Sequence, residues 1–155
     1  MKNKLIKELL LITIPIIPIV YLYLVWDKLP IEIPTHFNLE GKADGFTNKD
    51  SFVWVLSGLL AFTYLLMKFL PKIDPKNQIE QMGSKYFKIK LLLLSFITAI
   101  FCHIIYMAIN PNASSSFIVL ILALFFVVMG NFMQTIKPNY FLGMRTPWTL
   151  QSETV

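Results

Sequence analysis

Residues able to bind or react fall in three places in an otherwise apolar chain. The first is a short segment holding His36, Asn38, Glu40 and Asp44, with Gly41 and Gly45 between and beside them. One imidazole and two carboxylates so close together can form an acid–base set or offer ligands to a cation. Dedicated zinc sites usually carry more histidine or cysteine, and side chains of these types also satisfy their own turns. A self-bonded cap is therefore the simpler account, and no metal or other cofactor is assigned. The second place is His103, alone in an apolar run. An ionisable group inside a membrane is a functional candidate by default, although a neutral imidazole bonded to a neighbour's hydroxyl or carbonyl needs no further role. The third is the string Lys137 to Leu150, which holds Pro138, Asn139, Thr146, Pro147, Trp148 and the chain's only arginine, Arg145. Arg145 can fork onto a carboxylate or a phosphate, Trp148 suits a membrane interface, and the two prolines fix the path between them. Asn131 precedes the string at the end of an apolar run and can hold the turn that follows.

Positioning these groups falls to the apolar segments. The chain of 155 residues is 55% hydrophobic and 15% charged, with a mean hydropathy of +0.61. A soluble domain carries about 25% charged residues, so the membrane class leads. Leu9–Trp26 and Ser51–Met67 contain no charge, and neither does Leu91–Ile136, which is broken only by the turn formers Asn110 to Ser116. A helix rises about 1.5 Å per residue across a core about 30 Å thick, and lipid gives the backbone no hydrogen bonds. Four transmembrane helices are predicted, near 8–26, 51–69, 90–109 and 116–134. The first is longer than a signal-peptide core and no small-residue cleavage site follows Trp26, so it is expected to stay in place. Pro15 and Pro18 within it predict a kink, either a static one or a hinge with opened carbonyls.

Charge distribution sets the orientation. The N-terminus, the connection from 68 to 90 and the tail carry eleven Lys and Arg residues, whereas the loop from 27 to 50 carries three. Both termini are therefore expected in the cytoplasm and loop 27–50 outside. The fold class is an all-α integral membrane protein, a four-transmembrane-helix bundle with a short structured extracytoplasmic loop. In that loop Pro30 and Pro34 favour extended backbone, Ile31 and Ile33 alternate with Glu32, and Gly41 to Asp44-Gly45 predicts the reversal. Ser57 and Ala61 are spaced for close helix approach. The lysines lie at membrane boundaries, so direct nucleic-acid binding is not expected. They suit the anionic lipid of the inner leaflet. No hydrolase, zinc-protease, phosphate-loop or Cys-x-x-Cys motif occurs, so no enzyme activity is assigned. The single Cys102 excludes an intramolecular disulfide.

Two stretches carry a resemblance. Gly130-Asn131, then Lys137-Pro138-Asn139-Tyr140-Phe141 with Gly143, Arg145-Thr146-Pro147-Trp148-Thr149-Leu150 and Glu153, resembles the signature of the SdpI family of bacterial membrane immunity proteins. Leu29-Pro30, Ile33 to Asn38, Gly41 and Asp44-Gly45 resemble the uncharacterised domain that often begins that family. The resemblance implies residues 1–110 as an N-terminal membrane region of two to three helices, and 111–155 as an SdpI-like region with the fourth helix and the signature. Family members are expected to continue beyond the point where this chain stops, at Val155, inside the motif. The resemblance further implies protection of the cell against an exported toxin peptide, met by His36, Asn38, Gly41, Asp44 and Gly45. It also implies signalling, in which a cytoplasmic transcriptional repressor is held at the bacterial cell membrane through the signature. Self-association is a further expectation, since four helices bury little area. The rival reading is a membrane enzyme or transporter using His36, Asp44 and His103. The orientation is tested by fusing alkaline phosphatase, active only outside the cytoplasm, after Lys42, Lys85 or Arg145. Activity is expected at Lys42 alone, and the opposite pattern overturns the topology.

Overall fold

In the computed structural model of the chain, residues 2–38, 40–75, 77–133, 136 and 141–142 are described. Of the signature residues, Asn131 is among them; Pro138, Asn139, Arg145, Thr146, Pro147 and Trp148 lie outside. The helices are α1 (Lys2–Leu24), α2 (Lys49–Ile73), the short α3 (Gln78–Gln81), α4 (Ser84–Ile109) and α5 (Ser116–Met133). All except α3 are long and apolar enough to cross a membrane. Between α1 and α2 a 3-10 turn (Trp26–Lys28) leads into an antiparallel hairpin of β1 (Glu32–Phe37) and β2 (Ala43–Asn48). α4 begins some six residues before the apolar run because its first turns are amphipathic. Tyr86 and Ile89 are buried there, while Lys90 reaches across the Tyr86 ring at 5.2 Å.

α4 packs against α1, α2, α5 and β1. One core lies at the hairpin end, where Leu22, Phe52, Leu56, Phe101 and Ile105 close around Ile33 of β1. Ile33 is fully buried whereas Ile31, just before the strand, is 76% exposed, so Ile33, with Phe37 packed against the same core, pins the hairpin to the bundle. A second core lies at the lysine-rich end, built from Met67, Leu70, Ile79, Met82, Tyr86 and Ile89, with Phe141 and Leu142 packed against it. Asp74 ends α2 and accepts the Ile79 amide at 3.0 Å, which fastens α3 under this core.

Prolines make the bundle depend on α4. In a helix the amide of residue i bonds the carbonyl of residue i−4, and proline has no amide hydrogen. Pro18 in α1 thus frees the Ile14 carbonyl, and Pro71 in α2 frees that of Met67. α4 supplies a hydroxyl to each. Thr98 Oγ1 donates to Ile14 O at 3.3 Å and Tyr86 Oη to Met67 O at 2.6 Å. Both prolines therefore sit within helices that continue past them. The small residues of α2 do not serve a comparable contact, because Ser57 and Ala61 line a cleft of about 180 Å³ against Pro15 and Ile16 of α1.

The hairpin reverses earlier than its Asp-Gly pair suggests. Asn38 O accepts the Gly41 amide at 2.9 Å, and the Asn38 amide donates to Lys42 O at 2.9 Å. Gly41 has φ +77°, where an L-side chain is strained. Asp44 and Gly45 instead lie in β2, opposite His36, where the register shifts on both sides. Gly45 is needed there for closeness, since a Cβ on it would stand 2.7 Å from the His36 Cβ.

Two measurements test this account. Tyr86→Phe is expected to lower stability in mixed micelles by about 1 kcal/mol, the scale of interhelical bonds in membranes. In a Pro71→Ala background Met67 O regains its own donor, so the same substitution should cost clearly less; equal costs would count against the pairing. Gly41→Ala is expected to cost about 1–2 kcal/mol through its left-handed backbone, read as faster amide exchange at the hairpin tip.

Candidate functional site

The residues at the hairpin end border an open cavity of about 680 Å³. One wall is β1 and the hairpin tip, with Thr35, His36, Phe37, Asn38, Glu40 and Gly41. The floor and opposite wall are Ile100 and Ile104 of α4, the turn Ala113 to Ser115, and Ser116, Ile118 and Val119 of α5. The cavity is therefore amphipathic, with polar groups around the hairpin and turn and branched aliphatic side chains between the two helices.

Local hydrogen bonds hold these walls in place. The Ser115 hydroxyl donates to Gly41 O at 2.9 Å and ties the hairpin tip to the α4–α5 turn. A Cβ on Gly41 would collide with that same hydroxyl oxygen, so glycine serves both the backbone conformation and the close approach. Asn38 Oδ1 accepts the amides of Glu40 and Lys42 at 3.0 and 2.9 Å. The Thr35 and Thr47 hydroxyls bond across the strands at 3.0 Å. In the turn, the Ser116 amide donates to Ser114 Oγ at 3.2 Å, the kind of local capping that serine favours at a helix start.

The charged groups pair among themselves. His36 Nδ1 lies 2.5 Å from Asp44 Oδ1, with the imidazole 74% and the carboxylate 44% exposed. Lys42 Nζ lies 3.0 Å from Glu40 Oε2, also at the surface. Such exposed pairs are worth about 0–1 kcal/mol each and exchange partners readily. Segment 27–50 as a whole holds five acids against three lysines. One of those lysines is structural: Lys49 donates to Trp26 O and lies 4.2 Å from the centre of the Trp26 ring.

His36, Asn38 and Gly41 thus meet on one cavity wall, and Asp44 with Gly45 backs His36 from β2. His103 has a different partner. Its Nε2 lies 3.2 Å from the Ser114 carbonyl, which requires the proton on Nε2, and its ring lies 5.7 Å from that of Phe117. It supports the turn from behind. Asn131 lies near the other end of α5 and is exposed. Among the described residues no three His, Cys, Asp or Glu side chains converge. Asn38 is spent on its turn, the Ser115 hydroxyl on Gly41 and His36 Nδ1 on Asp44. In the sequence Ser114, Ser115 and Ser116 read only as turn formers, and Thr35 does not stand out. The signal available was a run of three hydroxyls just where a helix must start at a membrane surface.

A family described as a domain of unknown function (DUF1648) matches residues 13–61, which run from α1 through the hairpin into α2. The Bacillus subtilis (strain 168) protein named Immunity protein SdpI is 27% identical over 133 residues, covering 85% of this chain. The chain spans 62% of that relative's length. No solved structure matches. Four apolar spans, a match through the hairpin and a likeness over most of the length make this chain a multi-pass cell-membrane protein similar to Immunity protein SdpI.

Proposed function

We propose that the chain is a membrane immunity protein that protects the cell carrying it from an exported toxin peptide. The observation that carries this reading is the likeness, over 85% of the chain, to a relative named as an immunity protein. The lysine-rich end faces the cytoplasm in this proposal, because eleven of the fourteen Lys and Arg residues fall, in the sequence, in the N-terminus, the connection from 68 to 90 and the tail. The hairpin and its cavity then face the side from which an exported peptide arrives. His36, Asn38 and Gly41 contact the toxin directly, while Asp44 and Gly45 hold His36 in position. The lipid bilayer covers the rest of the helical surface.

Signalling is the second half of the proposal. The cytoplasmic signature recruits a transcriptional repressor once toxin is bound, with Arg145 pairing to a carboxylate of that repressor and Trp148 anchoring the segment at the interface. Phe141 and Leu142, the described residues within the string Lys137 to Leu150, pack on the core that also holds Tyr86 and Met67. That core includes a hydroxyl-capped proline site, so a shift of α4 at the cavity has a mechanical route to it. The protein acts without catalysis, by biasing a two-state equilibrium of its bundle.

The test is survival of toxin-sensitive cells expressing the 155-residue chain. Protection is expected, and its absence from cells in which the chain is present in the membrane overturns the reading. Arg145→Ala and Trp148→Ala are expected to abolish repressor recruitment, read by fluorescence at the membrane, while the amount of membrane protein is unchanged. Recruitment that survives both substitutions overturns the signalling half.

A further inference from the structure

The cavity runs along a strand, and this specifies how a ligand is held. Thr35, His36 and Phe37 are the last three residues of β1, Asn38 opens the turn, and all four line the cavity. Side chains of a strand alternate between faces, so a pocket on one face does not meet three consecutive strand residues. The register places one extra residue, Thr35, on β1 between Pro34 and His36, and such a bulge adds one more to the same face. The third residue is reached only if the cavity follows the edge of β1. That edge is the side not paired with β2, because the sheet has two strands. The opposite wall, from Ser114 to Val119, leaves room beside it. Four residues of an added strand occupy about 13 Å × 4.8 Å × 10 Å, roughly 620 Å³, against a cavity of about 680 Å³.

We propose that the cavity binds an extended peptide segment as a third strand on the free edge of β1, with an apolar side chain lodged between Ile104 of α4 and Val119 of α5. This rests on the immunity reading only for the identity of the peptide; the mode of binding stands on the cavity. Strand addition takes its affinity from main-chain hydrogen bonds and its selectivity from pockets for alternate side chains. Pro34 limits the register. It offers no amide, so the edge is complete only from Thr35 onward. The Ser115–Gly41 bond closes the cavity at the hairpin tip and sets where the added strand must stop. The excess of two acids over 27–50 favours a peptide with cationic ends.

The experiment uses the full chain in lipid nanodiscs and a synthetic probe, the acetylated and amidated heptapeptide Lys-Val-Thr-Val-Thr-Val-Lys. A twin of the same sequence is N-methylated at alternate residues on the edge that would pair. Binding of the first peptide should slow exchange at alternate amides within Thr35 to Asn38, and the twin should bind at least about tenfold more weakly because it lacks the backbone donors. Val119→Trp fills the cavity from α5, where Val119 is exposed, and should weaken the probe while exchange elsewhere in the hairpin is unchanged. Equal binding of the twin overturns the inference and marks the cavity as a site for amphiphiles such as lipid. Protection that falls on β2, or pairing of two copies of the chain through β1, overturns it as well. Protection of cells from toxin combined with no strand on β1 sinks this inference alone; strand binding without protection sinks the immunity reading alone.

Discussion

Two of the three backbone carbonyls that proline has stripped of their helical partners govern how this bundle is put together. In water such a group is hydrated at little cost; in hydrocarbon it must find a donor within the protein. Ile14 O and Met67 O find theirs on the same helix, through Thr98 and Tyr86. α4 is consequently central for a reason beyond apolar contact. Leucines packing on leucines gain little in lipid, because acyl chains are equally apolar. Hydroxyl-to-carbonyl bonds give the packing a register that oily surfaces alone would leave loose. The two bonds lie at different depths and join different helices, so α4 locates α1 and α2 independently.

The hairpin end obeys a different rule. There the backbone leaves the membrane, and local polar groups replace helix geometry as the means of holding shape. Asn38 organises the turn, the threonine pair links the strands, and Ile33 with Phe37 carries the hairpin's grip on the core. Since Ile33 is fully buried, removing its water contact contributes about 2–3 kcal/mol in ordinary area terms. The candidate site is thus a small polar structure resting on Ile33 and Phe37, with α4 and α5 as its floor.

The spans were legible because lipid tolerates few charges and helices are the available solution, so runs such as Leu91–Ile136 announce themselves. The hairpin was half legible. Prolines and alternation pointed to extended chain near Ile33, but Asp44-Gly45 drew the reversal too far along. A glycine after aspartate signals a turn when backbone conformation is the need; here Gly45 answers closeness to His36, and Asn38 with Gly41 makes the turn. The hydroxyl donors were illegible. Thr98 lies 84 positions from its acceptor, and nothing local distinguishes it from any threonine in an apolar helix. The serines of the α4–α5 turn were legible as turn formers, but their part in the cavity depends on where the hairpin folds back.

The bond between Ser115 and Gly41 has a consequence for how the cell makes the protein. Gly41 leaves the ribosome early and Ser115 late, separated by 74 positions. During synthesis the hairpin can sit on α1 and α2 with one side of the cavity missing. The far wall arrives only as the last described helix inserts, and the hydroxyl that fastens the hairpin tip comes with it. A nascent chain halted after α4 would hold the strands yet have no complete site. The cavity therefore has both its walls only once α5 has packed beside the hairpin.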